Sequence, residues 1–212
     1  MKLHDLRRDY ELAELKREIL NDDPMLQFQD WFTQANEHAG LPDPTAFTLA
    51  TVNAAGQPHQ RTVLLKQIDP DSFIFYTNYQ SEKGRDIDAN PQVAMHFAWL
   101  VMERQIRIEG CAEKVERDAV DAYFATRPRA SQLGALASAQ SAPIAERAEL
   151  EARYQQLAEK YQDQPIPAPE NWGGYRIKPS RFEFWQGGRH RLHDRFTYTR
   201  TADGWTIQRL QP

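Results

Sequence analysis

Ala46-Phe-Thr-Leu-Ala-Thr-Val-Asn-Ala-Ala-Gly-Gln-Pro-His-Gln-Arg-Thr-Val-Leu-Leu-Lys66 reads as strand, turn, strand, and at Ala46 the period of the chain changes from helical to extended. Outward from this pair, Asp69-Pro-Asp-Ser72 is a turn signal and Phe73-Ile-Phe-Tyr-Thr77 another strand. Ser81 can cap a short helix that must end near Asn90-Pro91. Strands are expected at 93–99 and from 104 to about 115, then at 175–177, 182–186, 190–199 and 205–210, the last two joined at Asp203-Gly204. At least seven strands with hairpin-type connections and few βαβ alternations favour an antiparallel barrel over a doubly wound sheet.

Helices should plug or flank that barrel. Leu6, Leu12, Leu15 and Ile19 fall near helical spacing, so an N-terminal helix is expected over residues 1–22, ahead of a domain at 23–212. Asp23-Pro24 opens a second helix, with Leu26 or Phe28, Trp31, Phe32 and Ala35 on its apolar side. Further helices are expected at 117–126, near 131–137 and at 144–161, followed by an extended connector, Gln164-Pro-Ile-Pro-Ala-Pro169.

The chain has 212 residues, net charge −4 and one cysteine, Cys111, which fits a reducing cytoplasm. The acidic balance argues against broad nucleic-acid binding, and no apolar run approaches membrane-spanning length. The N-terminus has no apolar core of a signal peptide. His190 and His193 lack a second ligand cluster, so no metal is expected. There is no Gly-x-Gly-x-x-Gly loop and no Walker-type phosphate loop. A nucleotide-like cofactor must be held by another arrangement.

Several constellations suit anions. If the run after Gly187-Gly188 is a strand, Arg189, Arg191, His193 and Arg195 share one face, beside the flat surface of Trp185. A solvated strand face after a hairpin turn would read the same way. Arg61 and Lys66 bracket an apolar run, on opposite faces unless the strand end re-aims one; snorkelling surface cations are the alternative. Tyr76-Thr-Asn-Tyr-Gln-Ser-Glu-Lys83 passes from strand to helix start with hydroxyls, a lysine and free N–H groups, suited to phosphate or to plain capping. Gln105 could offer an amide to a heterocycle edge. Tyr123 and Arg127 lie one helical turn apart with Ser131 beyond Pro128, a phenol, guanidinium and hydroxyl for one small anion, or a surface pair. Gln140-Ser141 is a cap or phosphate contact ahead of Pro143. No Ser-His-Asp or Cys-His nucleophile system stands out, and Asp194 is on the opposite strand face from His193. Together these features provide for two phosphates.

Arg61-Thr-Val-Leu-Leu-Lys66, Phe75-Tyr-Thr-Asn78, Arg104-Gln105 with Glu109-Gly110, Tyr123-Phe with Arg127-Pro-Arg, Gln140-Ser141, and Phe184-Trp-Gln-Gly-Gly with Arg191-Leu-His-Asp-Arg195 occur in one order. That order resembles the pyridoxine/pyridoxamine 5′-phosphate oxidases, over nearly the whole chain. The resemblance implies an α+β fold, a split antiparallel β-barrel with flanking helices, binding FMN at the interface of a homodimer. It implies FMN contacts from Arg61, Thr62, Val63, Leu64, Leu65, Lys66, Tyr76, Thr77, Lys83, Gln105, Gln140, Ser141, Trp185 and Arg195. Lys66, Tyr123, Arg127 and Ser131 would meet the substrate phosphate, and Arg191 and His193 would be the catalytic pair over the substrate ring. Arg7 and Tyr10 would belong to an N-terminal flap over bound substrate, and Arg189 is left with no role beyond solvent.

The implied reaction is oxidation of pyridoxamine or pyridoxine 5′-phosphate to pyridoxal 5′-phosphate, with O2 as acceptor and H2O2 as product. Rival readings are another FMN split-barrel oxidoreductase and a noncatalytic pyridoxal-phosphate binder. One departure stands out: the family commonly has Ser-Arg-Lys where this chain has Ser81-Glu82-Lys83. Glu82 is expected to face outward and to weaken FMN binding, with Arg85 compensating in part. Arginines around His193 should keep its imidazole neutral.

Overall fold

The computed structural model describes His4 and residues 9–212. Nine strands form one antiparallel sheet: β1 (Ala46–Val52), β2 (Pro58–Leu64), β3 (Gln67–Asp69), β4 (Ser72–Asn78), β5 (Gln92–Trp99), β6 (Arg104–Lys114), β7 (Trp172–Gln186), β8 (Asp194–Thr201) and β9 (Gly204–Leu210). The order is β2-β1-β5-β6-β7-β4-β3, with β8 and β9 added beside β7. The first half of β7 pairs with β4 and its second half with β8, while β6 runs along its other edge. β7 is thus where the sheet forks, the opening of a split barrel. Two separate strands at 175–177 and 182–186 were expected here. Pro179 interrupts the pattern, and the ladder absorbs it by a register shift opposite Glu109 and Gly110 rather than ending.

Five helices surround the sheet: α1 (Pro24–Glu37), α2 (Glu82–Ala89), α3 (Arg117–Thr126), α4 (Arg129–Ala137) and α5 (Arg147–Lys160). The Asp23 side chain accepts from the Met25 N–H and Pro24 sits in the first turn, a cap of about 1 kcal/mol. The apolar side of α1 is Phe28 rather than Leu26, which is exposed. Phe28 packs edge-on to Phe73 at 4.7 Å and to Phe97 at 5.1 Å, and Trp31 meets Phe184 at 5.3 Å. Truncating a fully buried phenylalanine such as Phe28 to alanine costs about 3–5 kcal/mol. A second cluster joins Val120, Phe124 and Leu133 to Ile74 and Trp172, fixing α3 and α4 against β4 and β7.

Among the described residues the expected N-terminal helix is not formed: Asp9 to Lys16 follow an irregular path, and Arg17–Ile19 make one 3-10 turn. Of the described residues of the expected stripe, Leu15 reaches the core, while Leu12 and Ile19 stay exposed. Tertiary acceptors take the backbone donors that a helix would have used. Glu103 Oε2 accepts from the N–H groups of Glu11 (2.8 Å) and Leu12 (3.0 Å), and Asp194 Oδ2 from Leu15 (2.9 Å). Leu6 and Arg7 lie outside the described residues. No helix among the described residues is long and apolar enough to cross a membrane.

Candidate active site

β4 ends at Asn78, and the chain turns tightly into α2, where Ser81 is the N-cap. This turn places Lys83 at the floor of a cleft of about 930 Å³ lying between the ends of β2 and β4 and the α3–α4 corner. Lys83 Nζ donates to Thr77 Oγ1 (3.2 Å), Ser81 Oγ (3.3 Å) and Gln140 Oε1 (3.2 Å), all neutral oxygens. Burial first, then the charge of Arg61, lowers its pKa to about 8, with Glu82 offsetting part of the shift. An ammonium held this way is prepared for an anion.

Arg61 reaches the same cleft from β2. Its Nη1 donates to Thr51 Oγ1 at 2.6 Å, and its Nη2 donates to Glu82 Oε2 at 3.2 Å and lies 3.6 Å from Asp86 Oδ2. Asp86 also accepts from the Thr51 hydroxyl at 2.7 Å and contacts His59 Nδ1 at 2.9 Å. Burial works against ionisation of Asp86, but these bonds and the charges of His59 and Arg61 outweigh it and hold its carboxyl below the usual range. Glu82 therefore does not simply face outward: it is half-exposed yet bonded to Arg61. Arg85 does not line the cleft; its guanidinium donates to the Gln80 carbonyl.

Lys66 lines the cleft together with Arg61 because β2 stops at Leu64, so strand parity no longer applies to it. Thr62, Val63 and Leu64 also line it, whereas Leu65 is buried in the core. Tyr123, Arg127 and Ser131 converge on the same cleft from α3 and α4. Arg127 Nη1 is buried without a hydrogen-bond partner among the described residues, and the guanidinium lies over the Trp172 ring at 4.7 Å. Tyr76 stacks on Tyr123 at 3.9 Å and on Trp172 at 5.4 Å, making a flat aromatic wall beside it. Ser141 lines the cleft with φ 69°, and Gln140 bonds Lys83; neither caps α5, which begins at Arg147.

The C-terminal residues form a second group. Gln105, Trp185 and Arg195 line a separate pocket of about 190 Å³ with Arg107, Glu183 and Pro212. The buried Glu183 carboxylate accepts from Arg195 Nε at 2.9 Å and from Arg107, spanning β6, β7 and β8. The single-faced row of Arg189, Arg191, His193 and Arg195 does not exist. Residues 189–191 form a 3-10 turn, His190 and Arg191 adopt φ of 56° and 63°, and β8 starts only at Asp194. The turn is closed by Leu192 N–H donating to Arg189 O, and a Cβ on Gly188 would meet Leu192 O at 2.5 Å.

His193 lies against Trp185, ring centroids 4.7 Å apart, with Tyr10 edge-on to both rings. The Gly188 N–H donates to His193 Nδ1 at 3.1 Å, so the neutral ring carries its proton on Nε2. Burial first and Arg191 second lower the His193 pKa, in the direction expected. Arg189 is not idle in solvent but pairs with Glu11 at 3.1 Å. Asp194 bonds Leu15 and Arg209 rather than His193. Sequence reasoning missed Trp172, Thr51, Asp86 and Glu183. The only early signal for any of them is that Glu183 lies next to Phe184 in a motif already singled out.

Residues 33–161 match the family model described as pyridoxamine 5′-phosphate oxidase, and residues 172–212 match that of the pyridoxine 5′-phosphate oxidase C-terminal dimerisation region. A pyridoxine/pyridoxamine 5′-phosphate oxidase of Idiomarina loihiensis is 53% identical over 212 residues, covering 100% of both chains. One of Cupriavidus metallidurans is 53% identical, covering 100% of this chain and 99% of its own. Among solved structures, PhzG of Burkholderia lata in complex with tetrahydrophenazine-1-carboxylic acid superposes with TM-score 0.89 at 27% identity, over 97% of this chain and 100% of that one. An FMN-binding protein of Nostoc punctiforme shares the fold at TM-score 0.70 and 19% identity, over 89% of this chain and 98% of that one. The chain belongs to the pyridoxamine 5′-phosphate oxidase family.

Proposed function

We propose that the chain is a pyridoxal 5′-phosphate synthase of vitamin B6 metabolism, an FMN-dependent oxidase of pyridoxamine and pyridoxine 5′-phosphates. The observation that carries the reading is the buried Arg127 Nη1, without a hydrogen-bond partner among the described residues, in a cleft shared with Lys83. A guanidinium and an ammonium, each desolvated, at two places in one cleft call for two anionic groups. The phosphates of cofactor and substrate supply them.

Bound in this cleft, FMN would supply hydride acceptance from the exocyclic carbon of the substrate and electron transfer to O2, with H2O2 released. Lys83, Thr77 and Arg61 bind its phosphate at the start of α2, with Gln140 and Ser141 beside them. Arg127, Tyr123, Ser131 and Lys66 hold the substrate phosphate, which fixes the position of the ring at the far end. Gln105, Trp185 and Arg195 complete the cofactor site, and Arg191 and His193 orient the substrate ring. That Gln105, Trp185 and Arg195 line a pocket distinct from the large cleft supports a complete site assembled in a homodimer with FMN at the interface. Residues 1–22, including Arg7 and Tyr10, act as a flap over the substrate; the contact of Tyr10 with His193 supports this. The lone cysteine, Cys111, suits work in the cytoplasm.

The test is anaerobic mixing of flavin-loaded protein with pyridoxamine 5′-phosphate, pyridoxine 5′-phosphate and unphosphorylated pyridoxamine. Bleaching of the visible flavin absorbance by the phosphorylated pair alone is expected. No bleaching by either would overturn the reading in favour of a carrier or an oxidoreductase with another substrate.

A further inference from the structure

Two carboxylates, Glu82 in the cleft lining and Asp86 buried behind Arg61, accompany the two cations of the cofactor-phosphate end. Glu82 accepts from Arg61 Nη2 at 3.2 Å, and Asp86 lies 3.6 Å from the same nitrogen, while Lys83 is the second cation. Formal charge at this end is therefore balanced before any ligand arrives. The two acids are not equivalent. Asp86 is buried, with its Oδ2 committed to Thr51 and His59 behind Arg61. Thr51, itself fully buried, also accepts from Arg61 Nη1 at 2.6 Å. These groups hold the guanidinium from the rear. Glu82 stands in front, its side chain 51% exposed against 16% for Arg61, in the first turn of α2. There it occupies both the open edge of the guanidinium and the helix N-terminus, the two features that a phosphate would use.

We propose that Glu82 is an internal competitor for the cofactor phosphate, displaced from Arg61 when FMN binds, and that Thr51 and Asp86 keep Arg61 aimed at the vacated position. The inference rests on the FMN reading above and concerns how strongly this chain selects the phosphorylated flavin. Glu82 can swing into solvent without unpacking anything, whereas Arg61 cannot follow it because its other nitrogen is tied to Thr51. Displacement takes one ion pair from Arg61 and leaves a nearby negative charge, so both effects lower phosphate affinity. Neither acts on a flavin that lacks the phosphate. The depressed pKa of Lys83 agrees, since Glu82 offsets only part of the effect of burial and Arg61.

The experiment titrates FMN and riboflavin separately into the full-length apoprotein, following quenching of flavin fluorescence. Glu82→Gln is expected to tighten FMN about fivefold, the scale of one partly exposed ion pair, and to leave riboflavin unchanged. Thr51→Val is expected to weaken FMN and not riboflavin, so riboflavin serves as the control for folding. Unchanged or weaker FMN binding by Glu82→Gln overturns the proposal, as does equal tightening of both flavins. If the wild type quenches neither flavin, the FMN reading fails and the proposal fails with it. Binding of both flavins, insensitive to Glu82, rejects the proposal alone.

Discussion

His193 shows how a single side chain acquires a defined protonation state. Its Nδ1 already accepts from Gly188, so protonation would set an N–H against an N–H, next to Arg191 and within a partly buried aromatic nest. Each factor favours the neutral ring with the proton on Nε2. If His193 acts in the proposed role, its neutral form is lost as pH falls, and the acid limb of kcat/KM should lie below about 6.5, the ordinary histidine value. His193→Asn should remove that limb, and an unchanged profile would exclude a proton-linked role. Arg127 makes a different prediction. Arg127→Gln removes the desolvated charge proposed to hold the substrate phosphate, so KM for pyridoxamine 5′-phosphate should rise about 10- to 100-fold, the scale of hydrogen bonds to a charged group. Steady-state kinetics showing no rise in KM would place the phosphate elsewhere. Tyr123, Arg127 and Ser131 were legible from spacing alone, because one helical turn and one breaker fix their geometry. Trp172 and Thr51 were not, since their roles come from partners remote in sequence, such as Asp86 for Thr51.

At the level of elements, α2 was legible at both ends because its cap and its terminating Asn90-Pro91 are local signals. The N-terminal segment was misread because its backbone donors are claimed by distant acceptors, Glu103 and Asp194, and the start of β8 because a local 3-10 turn, closed by Leu192 N–H donating to Arg189 O, takes the place of strand there. Gly84 provides a test of how strictly α2 is seated. Alanine has the better helix propensity by about 1 kcal/mol. At this position, however, a Cβ would meet the Tyr79 carbonyl oxygen at 2.0 Å, and that atom belongs to the backbone. Overpacking against a rigid turn costs about 1–3 kcal/mol, so steric cost should win. Gly84→Ala is expected to lower Tm and to weaken FMN, because moving α2 shifts both Ser81 and Lys83. A rise in Tm would mean that the turn yields and that α2 is less strictly seated.

For the whole molecule, the antiparallel barrel was legible because strand period and turn residues repeat along the chain; the fork at β7 was not, since one continuous strand with a bulge looks like two. That fork places Glu183 between Arg107 of β6 and Arg195 of β8, tying the barrel to the C-terminal hairpin. Burial raises the pKa of this carboxyl, but the bond from Arg195 and the charge of Arg107 outweigh burial and hold it below the usual range. A carboxyl whose folded pKa is depressed contributes stability that is complete above its unfolded pKa, about 4.3, and is lost as pH falls through the lower folded value. Glu183→Gln should therefore be less stable than wild type at neutral pH by about 2 kcal/mol, or about 4–8 °C in Tm. The gap should narrow on acidification and close once the wild-type carboxyl is protonated. Thermal melts of both proteins across that pH range decide the matter. A gap that stays constant or widens at low pH would show that packing, rather than the Arg107–Glu183–Arg195 charge lattice, holds the hairpin to the barrel.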